Sequence, residues 1–256
     1  MKLVRFKSGH LTHSLGVFEN NDVYILTGDP FNKYSKGECV GTIDDVKLLA
    51  PCIPSKVIAI AINFKEIDGF NPNMKEPMVF IKPPTTVCGP NTIIENPFPE
   101  LPMWGEAELG VVIKNVSSNS TEDEIKDGIF GFTIANDVTI ENIEKRDHHL
   151  ARSKCPDNFC PIGPWIDTDF DASDCLIEAA QNGEIIRRGR SSEQFWQWPK
   201  IISWLSTWIT LNPWDIVITG NPPDIGGLRL LSDGDIYTAQ IEGLGKLTNK
   251  FLIKNK

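Results

Sequence analysis

The chain has 256 residues, 41% hydrophobic and 23% charged, with a net charge of −9 at neutral pH. That length supports a sizeable core, and the composition needs no disulfide framework or other special device for folding. The acidic balance argues against a nucleic-acid partner, since phosphate contacts need a clustered cationic face; the densest basic run, Arg187, Arg188 and Arg190, reads as a solvated loop.

At the start of the chain, MKLVRFKSGHLTH lacks the long apolar core of a secretory leader. No apolar run reaches the roughly 20 residues that cross a bilayer. Cys39, Cys52, Cys88, Cys155, Cys160 and Cys175 are scattered, without CxxC spacing, so free thiols in a reducing cytoplasm are expected. KLVRF, HSLGVFE and DVYILTG read as short strands separated by ENND and GDPFN turns. The prolines of APCIPSK mark a boundary, giving a small β-rich N-terminal domain over residues 1–54 and a larger domain over 55–256. KVIAIAIN and EPMVFIKPP then read as strands, with a loop carrying Lys65, Glu66, Asp68 and Gly69 between them.

In WGEAELGVVI, strand periodicity puts Ala107, Leu109, Val111 and Ile113 on one face and Glu106 with Glu108 on the other. Two carboxylates about 6 Å apart repel by roughly 3 kcal/mol at an effective dielectric near 20. Thr121 and Glu124 form a capping box that starts a short helix, Asp127-Gly128 ends it, and GFTIANDV continues as a strand. In PKIISWLSTWITL, Ile201, Ile202, Leu205, Trp208 and Ile209 share one helical face. DIVITG reads as a buried strand and SDGDIYTAQIEGLGKLTNKFLIK as a closing hairpin, so the class is α+β, mostly β.

Asp137 interrupts the apolar strand IANDVT. Together with Glu106 and Glu108 it would offer a hard divalent cation the oxygen ligands it prefers, with positions left for substrate; the spacing alone equally describes solvated acids at a strand end. His148 and His149 diverge as neighbours and read as a loop pair, while Cys155 and Cys160 have no second pair at zinc-finger spacing. Lys154, in ARSKCPDNF, reads as a solvated charge unless a cation lies beside it, which would lower its pKa. TGNPPDIGG leaves a strand for a Gly/Pro turn whose amides could hold a carboxylate.

Taken in order, AIN with Phe64, EPMVFIKPP, GEAELGVVI, GFTIANDVT, SK followed by DNFCPIGPW, NGEIIRRG and TLNPWDIVITGNPPDIG resemble the fumarylacetoacetate hydrolase family from about Lys56 to Phe251. The resemblance implies a mixed β-roll catalytic domain, usually in a homodimer. It implies Mg²⁺ or Mn²⁺ held by Glu106, Glu108 and Asp137, Lys154 as catalytic lysine, and Asn63, Gly220 and Asn221 as substrate contacts. Activity on a 2-oxo acid or its enol follows: isomerisation in the manner of 2-hydroxyhepta-2,4-diene-1,7-dioate isomerase, tautomerisation or decarboxylation, with C–C hydrolysis the alternative. The chain departs from the pattern where hydrolytic members carry a lid His and Glu, having Ile67 and Phe70 there, with Lys65, Glu66 or Asp68 as the nearby polar groups. Phe64 stands for a Tyr, Glu141 and Glu144 for an Arg and a Gln, and Asn221 for a Thr. A relative that binds metal and metabolite without turnover is the reading from another class.

Overall fold

A computed structural model describes residues 1–254. Residues 1–51 supply β1 (Lys2–Ser8), β2 (Leu11–Glu19), β3 (Asp22–Gly28), β4 (Tyr34–Thr42) and β5 (Lys47–Leu49). The three expected strands form, and β4 is a fourth that sequence reading does not find. None of its nine residues is buried, so it carries no apolar alternation and exists through its pairing with β3.

The rest of the chain contributes β6 (Val57–Ala61), β7 (Met78–Lys82), β8 (Val87–Cys88), β9 (Ile93–Glu95), β10 (Met103–Trp104), β11 (Ala107–Ile113) and β12 (Ile129–Asn136). After these come β13 (Thr139–Ile140), β14 (Cys160–Asp167), β15 (Leu176–Gln181), β16 (Glu184–Arg190), β17 (Ile216–Ile218), β18 (Ile236–Ile241) and β19 (Gly245–Leu252). Helices are few: α1 (Glu122–Asp127), α2 (Ala151–Lys154) and α3 (Trp198–Ser206). With 43% strand and 12% helix the chain is α+β and mostly β.

One mixed sheet runs β4-β3-β2-β1-β14-β12-β11-β17-β6-β7, and a second runs β16-β15-β18-β19-β9. β11 lies inside the large sheet between β12 and β17, and all seven of its residues are buried. Its Ala107, Leu109, Val111 and Ile113 share a core with Ile177 and Ala179 of β15 and Ala239 and Ile241 of β18. On the opposite face Val112 packs with Ala59, Ile162, Ile216 and Ile218. A strand with apolar neighbours on both faces leaves no solvated side for Glu108, and that fact sets the chemistry of the site.

The capping box is present in both halves. Thr121 accepts from the Glu124 amide while the Glu124 carboxylate takes the Thr121 amide at 2.8 Å. Thr121→Ala is expected to cost about 1 kcal/mol, lowering the melting temperature by about 2–4 °C; an unchanged melt would mean that packing against α3 alone holds α1. That packing includes a hydrogen bond from Ser203 Oγ to the Ser120 carbonyl at 2.7 Å. The expected face of α3 holds for Ile201, Ile202 and Leu205, all fully buried, but not for Trp208, which is 50% exposed. The Ser206 carbonyl accepts from the Asn119 amide, so the helix closes there and Trp208 falls beyond it. All six cysteines are free thiols, and four of them are buried.

Candidate active site

The register of β11 against β12 builds the centre of the site. Glu108 lies opposite Ala135 and Ala107 opposite Asn136, which brings Asp137 level with Glu106 and onto the face that Glu106 and Glu108 share. The Asp137 amide donates to the Glu106 carbonyl at 2.9 Å, and the Glu106 amide donates to Asn136 Oδ1 at 2.8 Å. On the other side β17 is antiparallel to β11, so its exit turn arrives at Glu108, where the Gly220 amide donates to Glu108 Oε2 at 2.6 Å. Gly220 has φ +91°, and a Cβ there would lie 2.8 Å from Asn63 Cβ. Only glycine meets both requirements.

Carboxylate oxygens of Glu106, Glu108 and Asp137 come within 4.8 Å of one another. Glu108 and Asp137 are each 1% exposed. These acids are therefore not a solvated strand end. Lys154 Nζ bridges two of them, at 2.8 Å from Glu106 Oε2 and 2.6 Å from Asp137 Oδ2. Lys82 Nζ, from the end of β7 and fully buried, holds Asp137 Oδ1. Glu106 Oε1 also accepts from Trp104 Nε1 at 2.7 Å and Thr139 Oγ1 at 3.1 Å.

Two lysines thus serve two carboxylates, and Glu108 is left with the Gly220 amide. Burial, then the charges of Asp137 and Glu106, push the Glu108 carboxyl well above the usual range, with Lys154 and the Gly220 bond opposing. Burial would also raise Glu106, but Lys154 and then Arg187 hold it below the usual range. Lys154 itself lies in α2 and is buried, not a solvated loop charge. Burial alone would lower its pKa, yet Asp137 and Glu106 raise it above the usual lysine value, so with only protein charges around it the shift runs opposite to that expected beside a metal.

The other sequence-derived residues divide. Asn63 is buried and its side chain is fully engaged: Nδ2 donates to the Trp196 and Thr219 carbonyls at 2.9 and 2.8 Å, and Oδ1 accepts from the Trp196 amide at 2.8 Å. It secures the turn that delivers Gly220. Asn221 is half-buried at the edge of the cluster, with Nδ2 donating to the Pro222 carbonyl at 3.0 Å. Lys65, Glu66 and Asp68 are exposed, and Phe70 stacks edge-on against Phe195 at 5.1 Å between centroids. Glu141, His148 and His149 are exposed, and Glu144 reaches Arg146 in solvent at 2.9 Å. A cleft of about 470 Å³ lined by Phe80, His148, His149 and Cys155 runs beside the lysine, whose Nζ is 5.2 Å from the Phe80 ring.

Sequence reasoning misses two cations. Lys82 ends the apolar strand of FIKPP, and the signal that singled out Asp137, a charge interrupting an apolar strand, would have found it. Arg187 is not part of a solvated loop: it lies in β16, 3% exposed, with Nη2 2.9 Å from Asp224 Oδ1. Arg188 and Arg190 are the solvated members, paired with Glu178 and Asp174.

A family model described as fumarylacetoacetate (FAA) hydrolase C-terminal matches residues 56–252. The chain belongs to this family. A second model, described as Rv2993c-like, N-terminal, matches residues 1–51. Protein Rv2993c of Mycobacterium tuberculosis is 37% identical over 83% of this chain and 81% of its own length. The structure of 5-carboxymethyl-2-hydroxymuconate delta-isomerase from Mycobacterium smegmatis superposes with TM-score 0.87 at 31% identity, covering 98% of this chain and 99% of that one. The mitochondrial oxaloacetate tautomerase fahd2 of Xenopus laevis is 31% identical over 80% of this chain and 68% of its own length. The fumarylacetoacetate hydrolase family to which the chain belongs is thus one of enzymes, isomerase and tautomerase among them.

Proposed function

We propose that the chain is a divalent-metal-dependent enzyme acting on a 2-oxo acid or its enol, catalysing isomerisation, tautomerisation or decarboxylation in preference to C–C hydrolysis. The observation that carries this reading is the charge count at the cluster: three carboxylates within 4.8 Å of one another, of which Glu108 faces no cation of its own. The donor set fits the group: an all-oxygen set of carboxylates suits Mg²⁺ or Mn²⁺ rather than a thiophilic metal. Glu106, Glu108 and Asp137 would hold it. Such an ion, when bound, supplies Lewis acidity toward the carboxylate and 2-oxo oxygens of the substrate.

The chain's own residues do the rest. Lys154 Nζ, on two of the carboxylates, is the group placed to move a proton to or from the carbon beside the oxo group. Lys82 holds Asp137 in its orientation. Gly220 and Asn221 border the substrate, and Asn63 fixes their turn. Ile67 and Phe70 carry no group that activates water, which supports isomerisation over hydrolysis. A homodimer belongs to the same reading.

Oxaloacetate turnover with Mg²⁺, Mn²⁺ or excess chelator tests it, with pyruvate formation and enol–keto exchange followed separately. Metal-dependent catalysis of either is expected. A chain that binds oxalate in a metal-dependent manner but turns over neither oxaloacetate nor a longer 2-oxo dioate would instead be a metabolite binder.

A further inference from the structure

Beside the carboxylate cluster lies a second group of buried polar atoms that the chemistry above does not use. Arg187 of β16 is opposite Ala179 of β15, which is opposite Ala239 of β18. Cross-strand partners share a face, as do residues two apart in a strand, so Arg187 and Tyr237 rise from the same side of the small sheet. Tyr237 is 1% exposed and lies against the backbone before Glu106, where a Cβ on Gly105 would be 2.6 Å from the phenol Cζ. The turn that gives its Gly220 amide to Glu108 continues to Arg187, whose Nη1 donates to the Pro222 carbonyl at 3.2 Å.

Three atoms in this place have no hydrogen-bond partner among the described residues: Arg187 Nε, Tyr237 Oη and Asp224 Oδ1. The Tyr237 hydroxyl has the Ala107 amide beside it but no acceptor for its proton. Asp224 Oδ1 is 2.9 Å from Arg187 Nη2, yet out of line for a hydrogen bond. Buried donors without acceptors are costly, and a guanidinium offers a fork that matches two carboxylate oxygens at once. Asp224 fills that fork badly. Its own carboxyl is raised by burial and by Glu106 and Asp68, against Arg187. Its backbone is tied to β16 by a bridge to Arg187 and by the Ile225 amide, which donates to the Ile186 carbonyl at 2.8 Å, so it is the half-buried Asp224 side chain, next to the exposed residues 225–230, that can swing aside.

We propose that Arg187 and Tyr237 form an anion subsite next to Glu106 that takes the distal carboxylate of the substrate, Asp224 being the side chain it displaces. The substrate is then a 2-oxo dicarboxylate. This rests on the reading of Glu106, Glu108 and Asp137 as the cation site that takes the substrate's other end.

The test is calorimetric binding to Mn²⁺-loaded protein. Oxaloacetate, 2-oxoglutarate and 2-oxoadipate are each compared with the 2-oxo acid of equal chain length that lacks the distal carboxylate. Wild-type protein should prefer at least one dicarboxylate. Arg187→Gln should weaken that dicarboxylate by about ten- to hundredfold, the loss of a charged hydrogen bond, and leave its monocarboxylate partner unchanged. Tyr237→Phe removes only an unpaired hydroxyl; it should weaken the dicarboxylate by a smaller factor with no loss of thermal stability, and it keeps the test decisive where Arg187→Gln folds poorly. Equal weakening of both acids, or of neither, in these variants overturns the subsite. Wild-type protein that binds oxalate and both acids with no preference overturns it while the cation site stands, whereas failure of Mn²⁺-loaded protein to bind oxalate or any 2-oxo acid overturns both.

Discussion

Glu108→Gln is expected to abolish the rise in melting temperature that Mn²⁺ or Mg²⁺ gives the wild-type chain, while leaving the metal-free variant at least as stable as wild type. The Gln carbonyl can still accept from the Gly220 amide, which now meets Glu108 Oε2 at 2.6 Å, so the turn keeps its anchor. What disappears is a negative charge buried beside Asp137 and Glu106, the two neighbours that push the Glu108 carboxyl upward after burial itself. For the wild type, an ion at a hundred times its Kd contributes about 2.7 kcal/mol, which for a chain of this size is roughly 5–10 °C of melting temperature. Differential scanning fluorimetry with and without each ion reads both halves of the result. The same ion-induced rise in the variant would remove Glu108 from the ligand set. A metal-free variant that melts well below wild type would show that the Gly220 bond needs the charge.

Much of this centre is legible in the sequence because strand chemistry is local. Alternation places Glu106 and Glu108 together, and an acid within IANDVT draws attention to Asp137. The register that sets Asp137 level with Glu106 is not local: it depends on β11 and β12 pairing from Ala107 opposite Asn136 to Ile113 opposite Ile129, across the α1 excursion. Burial is less legible still. Glu108 has no solvated side because β11 lies between two other strands and the face that Glu108 shares with Val112 is covered by the core of Ala59, Ile162, Ile216 and Ile218, while the small sheet covers the other, an arrangement no window of residues contains.

Misreadings follow the same physics. Arg187, Arg188 and Arg190 look alike in the sequence, but β16 pleats Arg187 inward and leaves Arg188 54% exposed on its side chain. Lys154 looks solvated because its neighbours are polar, although a single turn of helix carries it under Phe80 and onto two carboxylates. For β4 the failure is the reverse: a strand that buries nothing has no pattern to read. In each case the local polarity is true and the tertiary position decides.

Lys154→Met separates the charge pairing that the structure shows for this lysine from the proton transfer proposed for it. Methionine keeps most of its length and volume and removes the ammonium bonded to Glu106 and Asp137 at 2.8 and 2.6 Å. Breaking a buried pair by deleting one partner costs about 3–5 kcal/mol, and with 7% of Lys154 exposed little solvent screening reduces that figure. The metal-free variant should therefore unfold at clearly lower urea. Lys82 still covers one oxygen of Asp137, so Glu106 carries most of the penalty. A divalent ion at the cluster brings back positive charge and should recover much of the lost stability. The ion-loaded variant should nevertheless stay about 10²–10⁴-fold below wild type in kcat, the usual contribution of a positioned acid or base. Lys154→Arg discriminates further: it restores the charge and with it metal-free stability, but a guanidinium that never deprotonates cannot move the proton. Full kcat in Lys154→Arg would reduce the lysine to an electrostatic strut, and a Lys154→Met variant that ions leave unstable would place their site away from these carboxylates.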